Sequence, residues 1–171
     1  SYLEPHEARI NLNGQQTKVD IGGFSAVNGK LYELRKKYKN PLVLHAGDAI
    51  TGTLYFTLFG GSADAAVMNA GNFHYFTLGN HEFDAGNEGL LKLLEPLKIP
   101  VLSANVIPDK NSILYNKWKP YDIFTVDGEK IAIIGLDTVN KTVNSSSPGK
   151  DVKFYDEIAT AQIMANALKQ Q

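Results

Sequence analysis

The sequence predicts an α/β fold in which parallel and antiparallel strands form mixed sheets. Three short apolar runs have the length and composition of buried strands: 41–46, 73–78 and 100–106. Helical patterns separate these runs, which is the βαβ arrangement of a parallel sheet. Further along, Asp127-Gly128-Glu129 separates two more apolar runs and predicts a hairpin, so an antiparallel pair joins the sheets.

The composition allows one substantial core and excludes several classes of function. The 171 residues are 43% hydrophobic, and 17 basic residues against 18 acidic ones give a net charge of -1. A charge so close to zero provides no field that would attract nucleic acid or an anionic membrane surface. The sequence has no apolar run of about 18 residues, so no membrane span is predicted. It also has no cysteine, which excludes disulfides and thiolate chemistry.

The first part of the chain is predicted to contain a loop and then a helix. Residues 1–20 show neither helical nor strand periodicity, and we predict a loop with a turn at Asn13-Gly14. From Phe24 to Tyr38 apolar residues recur every three or four positions, which predicts an amphipathic helix. The basic cluster Arg35-Lys36-Lys37 is interpreted as a solvated face of this helix rather than a nucleic-acid patch.

The remaining elements follow from periodicity and from breaker residues. Residues 51–59 are apolar and rich in Thr but have no clear pattern, whereas 63–71 and 85–97 predict helices. Residues 137–152 are rich in Asn, Ser, Thr, Lys and Gly and predict a surface loop. A last helix is predicted from Ile158 onward.

Polar side chains follow two of the predicted strands. Asp48 comes after the first, Asn80 and His81 come after the second, and Asp84 lies three residues beyond His81. Because neighbouring parallel strands bring their carboxyl ends together, we expect these side chains to share one site. A carboxylate bridges two divalent cations and an amide oxygen completes a metal shell. An imidazole oriented by Asp84 could then donate a hydrogen bond or a proton to a phosphoryl oxygen.

Each of these residues also has a structural interpretation. Asp48 could shape a turn, Asn80 could be a left-handed turn residue after a sharp turn at Gly79, and Asp84 could cap the following helix. What favours a functional site is the contiguous string from Gly79 to Asp84, with a strand and Gly47-Asp48 some thirty residues before it.

The neighbouring residues are interpreted as structural. Phe83 is predicted to lie in the core and Glu82 to make structural hydrogen bonds. His6, in the predicted N-terminal loop, and His45 and His74, in or beside strands, are interpreted as packed or solvated, because a lone histidine is more often so than ligating.

Gly47-Asp48 and Gly79-Asn80-His81-Glu82-Phe83-Asp84 closely resemble the motifs of the calcineurin-like metallophosphoesterases. The spacing of the two motifs, together with residues 102–106 and 130–136, looks like the N-terminal domain of the bacterial 5′-nucleotidase branch. The resemblance covers nearly the whole chain. It implies that the α/β fold is part of an αββα metallophosphoesterase sandwich with mixed sheets.

The resemblance also implies roles. Asp48 would be the metal-bridging carboxylate, Asn80 a ligand of one metal, and His81 with Asp84 the catalytic dyad. Two divalent metal ions are implied, zinc first, with manganese, cobalt or iron as alternatives. The implied substrate is a nucleotide of the NAD, AMP or NMN class, cleaved at a phosphate ester or pyrophosphate, and the implied location is the periplasm or cell envelope.

Parts of the family pattern are absent from the sequence. An Asp-x-His motif on a first strand, two later histidine-bearing strand ends and a C-terminal nucleotide-binding domain belong to that pattern and are not found in residues 1–171. We therefore expect residues 1–171 to be a partial N-terminal metallophosphoesterase domain, inactive by itself, whose site needs the rest of a parent chain. The alternatives are a 2′,3′-cyclic-nucleotide phosphodiesterase/3′-nucleotidase, a UDP-sugar hydrolase or, in a different class, a non-catalytic folded module.

Overall fold

The computed structural model describes residues 3–169, and this part of the chain forms nine strands and six helices in a mixed α/β arrangement. The strands are β1 (His6–Leu12), β2 (Gln15–Ile21), β3 (Leu44–His45), β4 (Tyr75–Thr77), β5 (Val101–Leu102), β6 (Val106–Pro108), β7 (Tyr121–Val126), β8 (Glu129–Ile134) and β9 (Val152–Phe154). The helices are α1 (Phe24–Lys37), α2 (Leu54–Phe59), α3 (Ser62–Gly71), α4 (Gly86–Leu94), α5 (Val139–Ser145) and α6 (Glu157–Leu168). A single 3₁₀ turn, Asn80–Phe83, lies between β4 and α4.

The central sheet is parallel and has the order β3-β4-β5. Leu44 pairs with Tyr75, and Phe76 pairs with Val101, so the carboxyl ends of these strands lie at one edge. The other strand pairs, β1-β2, β6-β9 and β7-β8, are antiparallel. The predicted α/β fold with mixed sheets is therefore confirmed.

Two of the parallel strands are shorter than predicted because side chains and distant carbonyls replace ladder hydrogen bonds. The backbone N–H of Val43 donates to the imidazole of His74 rather than to a strand carbonyl, at 3.0 Å. The predicted strand 100–106 is divided into β5 and β6, because Ser103 N donates to Lys119 O and Ala104 N to Gly135 O.

The prediction of a loop at residues 1–20 is wrong. Residues 1 and 2 lie outside the described range, and residues 3–5 precede the first strand. The rest of the stretch is the hairpin of β1 and β2, and Asn13 and Gly14 form its turn, as predicted, with positive φ values of 52° and 85°. Most residues on both faces of the hairpin are exposed. Ala8, Ile10 and Leu12 alternate with polar residues, and so do Val19 and Ile21, so the period of a strand is present in the sequence and the prediction of a loop overlooked it.

The prediction of a surface loop at residues 137–152 is also wrong. This segment contains α5 and the first residue of β9, and the side chains of Asp137 and Thr142 are buried. Its polar composition looks like that of a loop, but internal hydrogen bonds satisfy much of it. The segment 51–59, left undetermined by the sequence, contains α2.

The core lies between the parallel sheet and the helices α3 and α4. Fully buried side chains include Met68 of α3, Phe76 of β4 and Leu90 and Leu93 of α4. Phe83 is also fully buried, as predicted, so the 3₁₀ turn that follows β4 is fixed to the core. Among the described residues, no helix is both long enough and apolar enough to cross a membrane.

Candidate active site

Two chain tips meet at the carboxyl edge of the parallel sheet. The first follows β3 and carries Asp48, and the second follows β4 and carries Asn80 and His81. The backbone N–H of His81 donates to Asp48 Oδ1 at 3.1 Å, so the two tips are in direct contact. The structure thus brings together the strand-end residues that the sequence singled out.

Glycines allow this close approach. Gly47 has a φ of 90°, and a Cβ there would lie 2.6 Å from Gly79 N. Gly79 itself has an extended backbone, with φ of -113° and ψ of -177°, so the predicted sharp turn at this residue is wrong. Glycine is needed at 79 because a Cβ would overlap the carboxylate of Asp48. Both glycines therefore serve backbone contact between the tips.

Glu82 joins the two tips through hydrogen bonds. It is fully buried, and its carboxylate accepts hydrogen bonds from the backbone N–H groups of Asp48, Ala49 and Gly79, each at 2.7 Å. Burial raises the pKa of Glu82 to about 7, while the three N–H groups act in the opposite direction. Glu82 thus makes the structural hydrogen bonds expected of it, and it fixes the position of Asp48.

Asp48 has a strained backbone as well as an exposed carboxylate. Its φ of 56° lies in the left-handed region, where a residue other than glycine is uncommon. The structural and the functional interpretation of Asp48 are therefore compatible: the residue shapes the turn, and the same turn presents the carboxylate to solvent.

His81 and Asp84 form a hydrogen-bonded pair. His81 Nδ1 lies 2.6 Å from Asp84 Oδ2, and the side chain of His81 is 49% exposed. The hydrogen bond to Asp84 raises the pKa of His81 above its usual value, in spite of partial desolvation. Since Asp84 takes Nδ1, the opposite ring nitrogen, Nε2, is left for another partner.

Two structural interpretations of these residues are wrong. Asn80 begins the 3₁₀ turn and is not among the residues with positive φ, so it is not a left-handed turn residue. Asp84 does not cap α4, because that helix starts after Ala85 without a side-chain cap hydrogen bond. The second carboxylate oxygen of Asp84 instead accepts a hydrogen bond from the Ser146 hydroxyl at 2.7 Å.

The donors at this edge suit a divalent cation but do not complete a site. Asp48 offers a carboxylate and the half-buried Asn80 an amide oxygen, both of which are ligands of hard or borderline cations. Within residues 3–169, no group of three or more His, Cys, Asp and Glu side chains is placed to hold a metal ion. A complete shell would therefore need ligands from other segments.

Of the remaining histidines, His45 lies at this edge, where its Nδ1 accepts the Gly47 N–H at 3.3 Å. His45 packs against Phe24, Phe73 and Phe76, and burial lowers its pKa. His74 accepts the Val43 N–H and contacts Phe124 edge to face. His6 lies on β1 rather than in a loop.

A second buried polar cluster near the site was missed by the sequence interpretation. Asp137, only 1% exposed, follows β8 and accepts the hydroxyl of Thr142 at 2.8 Å. Its backbone N–H donates to Asn105, which in turn donates to the Asp137 carbonyl. Burial raises the pKa of Asp137 to about 6, with a smaller contribution from Asp48. A polar residue after an apolar run, the signal that identified Asp48, is present here too.

A family model described as calcineurin-like phosphoesterase matches residues 6–165. Over all 171 residues the chain is 98% identical to a Haemophilus influenzae protein named NAD 5′-nucleotidase, and it covers 28% of the length of that protein. Over 155 residues it is 39% identical to a Bos taurus 5′-nucleotidase, and the match covers 87% of this chain and 26% of that protein. The chain thus spans less than a third of the length of these curated relatives.

Solved structures agree with this result. The structure of the Haemophilus influenzae NAD nucleotidase matches all of this chain with a TM-score of 0.98 and 97% identity, over 34% of its own length. A Thermus thermophilus 5′-nucleotidase precursor matches 98% of this chain with a TM-score of 0.87 and 37% identity, over 32% of its own length. Because the family model matches residues 6–165, which are most of this chain, the chain belongs to the calcineurin-like phosphoesterase family.

Proposed function

We propose that this chain supplies part of the active site of a hydrolase that cleaves nucleotide phosphate esters and pyrophosphates. The observation that carries the proposal is the convergence of Asp48, Asn80 and the His81–Asp84 pair at one sheet edge. Relatives named NAD 5′-nucleotidase and 5′-nucleotidase support a nucleotide substrate of the NAD, AMP or NMN class. These names favour it over the cyclic-nucleotide phosphodiesterase and UDP-sugar hydrolase alternatives.

Membership of this family implies divalent metal ions. We propose two of them, with zinc as the first candidate and manganese, cobalt or iron as alternatives. Asp48 would bridge the pair and Asn80 would bind one of them. When bound, such ions polarise the phosphoryl group and supply the positive charge that activates water.

The residues of this chain then have distinct tasks. Glu82 holds the Asp48 turn, and the packed glycines keep the two tips at contact distance. Asp84 fixes the imidazole through Nδ1, so His81 presents Nε2 to a phosphoryl oxygen or leaving group and donates a hydrogen bond or proton there.

We further propose that the chain is a partial N-terminal domain whose remaining metal ligands and nucleotide pocket come from other segments of a longer protein. Its coverage of 28% of the Haemophilus influenzae relative supports this. The 171-residue chain alone is then expected to be inactive. A periplasmic or cell-envelope location is proposed too, supported by the bacterial relative that is described as a precursor.

The test is a hydrolysis assay on a full-length protein that contains this chain, with NAD, AMP, NMN, a 2′,3′-cyclic nucleotide and a UDP-sugar as substrates. NAD and AMP should be cleaved, and metal removal by a chelator should lower turnover by at least about 100-fold. Adding back zinc, manganese or cobalt should restore it. Full turnover without metal, or cleavage of the cyclic nucleotide alone, would contradict the proposal.

A further inference from the structure

The Asp84 carboxylate is held from two sides. Its Oδ2 contacts His81 Nδ1 at 2.6 Å, and its Oδ1 accepts the hydroxyl of Ser146 at 2.7 Å, from a residue 62 positions away in the sequence. An ionised carboxylate only accepts hydrogen bonds, so Ser146 must be the donor. We propose that Ser146 is a positioning residue, which fixes Asp84 in the orientation that holds His81. This inference rests on the role proposed above for His81.

His81 alone cannot hold Asp84 in place. The side chain of His81 is 49% exposed, so water competes for the hydrogen bond between the two residues. A carboxylate with one such contact can rotate between orientations, whereas a second donor on the opposite oxygen removes that freedom. The Ser146 contact is partly buried, and the side chain of Asp84 is only 26% exposed. The second contact is thus the better protected of the two.

Ser146 itself is positioned by a fixed frame rather than by a mobile loop. It directly follows α5, and its backbone N–H donates to the Thr142 carbonyl. Thr142 is fully buried and donates its hydroxyl to Asp137, which is linked to Asn105 in both directions. The helix that presents Ser146 is therefore tied to the core at its first turns.

The residues after Ser146 are hydrogen-bonded to the segment that carries Asp84. Ser147 N donates to the carbonyl of Phe83, the residue directly before Asp84, at 3.0 Å. Gly149 N donates to the side chain of Asn87, and Asn87 donates to Asp151. The chain on both sides of the Ser146 hydroxyl is thus fixed, which is the requirement for a group that orients another.

A purely structural role makes a different prediction. If the Ser146–Asp84 bond only joined α5 to the 3₁₀ turn, its loss would lower the melting temperature and leave kcat unchanged. A positioning role requires kcat to fall and the fall to depend on Asp84. The effect on KM and on metal content should be small, because neither Ser146 nor Asp84 is placed among the metal ligands.

The experiment compares Ser146→Thr with Ser146→Val in the metal-loaded, full-length protein, since these variants differ only by a hydroxyl and a methyl group. Ser146→Val should have a kcat about 10-fold below that of Ser146→Thr, with KM and bound metal unchanged within about 2-fold. Ser146→Ala should resemble the Val variant. The matched control is Ser145→Ala, because Ser145 is the exposed neighbour on α5, and it should behave as wild type.

The same Ser146 substitution is then made in the Asp84→Ala variant. If Ser146 acts through Asp84, then adding Ser146→Val to Asp84→Ala should cause no further loss of kcat. Equal kcat values for the Thr and Val variants, or a 10-fold loss that persists without Asp84, would overturn the inference. A normal kcat for Asp84→Ala alone would instead overturn the proposed pair of His81 and Asp84, so the two failures are distinguishable.

Discussion

Two regions meet at the carboxyl edge of the parallel sheet, and they are held there in different ways. The tips after β3 and β4 contact each other through their backbones, whereas residues 137–151 are held by hydrogen bonds with side chains that are distant in the sequence. At the tips, Gly47 and Gly79 pack against each other and Glu82 gathers three N–H groups. In residues 137–151, Asp137 binds Asn105 and Ser146 binds Asp84. The tips carry the groups proposed to act on substrate, and the second region orients one of them.

Only one of these two kinds of contact leaves a pattern that can be seen in the sequence. The groups proposed to act on the substrate or bind metal follow strands and stand in a compact motif, so a local sequence pattern identifies them. Groups that orient them need only a hydrogen bond across space, and any polar residue in a stable frame can provide it. The two regions should consequently fail in different ways when they are altered.

The largest loss of stability is expected at the tips, from Glu82→Ala. The variant leaves three backbone N–H groups without their buried acceptor and removes the link between the Asp48 turn and Gly79. We expect the free energy of unfolding to fall by about 3 to 5 kcal/mol, because each of the three N–H groups loses its acceptor. Chemical denaturation measures this.

The control for this change is Glu95→Ala, at an exposed position at the end of α4. It should change the free energy of unfolding by no more than about 0.5 kcal/mol. If the Glu82 and Glu95 variants lost similar amounts, Glu82 would not be the residue that holds the tips together.

A smaller effect with a pH signature is expected in the second region, from Asp137→Asn. Burial raises the pKa of Asp137 from 3.8 to about 6, so between these values the folded state keeps a proton that the unfolded state has lost. The contribution of Asp137 to stability should therefore fall as the pH rises from about 4 to about 6 and stay level above that. The difference in pKa corresponds to at most about 3 kcal/mol.

Asparagine cannot ionise, so the variant should lose this contribution and be at least as stable as wild type at pH 7. The part of the slope that comes from Glu82, whose pKa burial raises to about 7, should remain in both proteins. Denaturation of the metal-free protein at several pH values measures the effect, with the exposed Asp20→Asn as control. If the slope between about pH 4 and about pH 6 were the same in Asp137→Asn as in wild type, the titration would belong to another group.

The sequence predicts the parts of the fold that have a periodic pattern. Four helices and one hairpin lie where the pattern indicated, because their sequences have a helical apolar period or a glycine turn: α1, α3, α4, α6 and β7-β8. The β1-β2 hairpin also has a periodic signal, because Ala8, Ile10 and Leu12 alternate with polar residues, and the prediction of a loop overlooked it. Most of the hairpin is exposed, so the structure adds no buried face to that signal.

The candidate site is predictable to a similar extent. Asp48, Asn80, His81 and Asp84 were expected together, and the structure places Asp48 against His81 and His81 against Asp84. Ser146 could not be found in this way, because it stands in a run of serines and its partner lies 62 residues earlier. Hydrogen bonds over such a distance depend on the packing of α5, which composition does not encode locally.

The proposed role of His81 can be tested by measuring the turnover and the metal content of His81→Ala in the full-length protein, with AMP and NAD as substrates. Because His81 is proposed to act on the phosphoryl group and not as a metal ligand, kcat should fall by about 100-fold or more while bound metal stays at the wild-type level. Unchanged turnover, or turnover lost together with the metal, would contradict the role assigned to this residue.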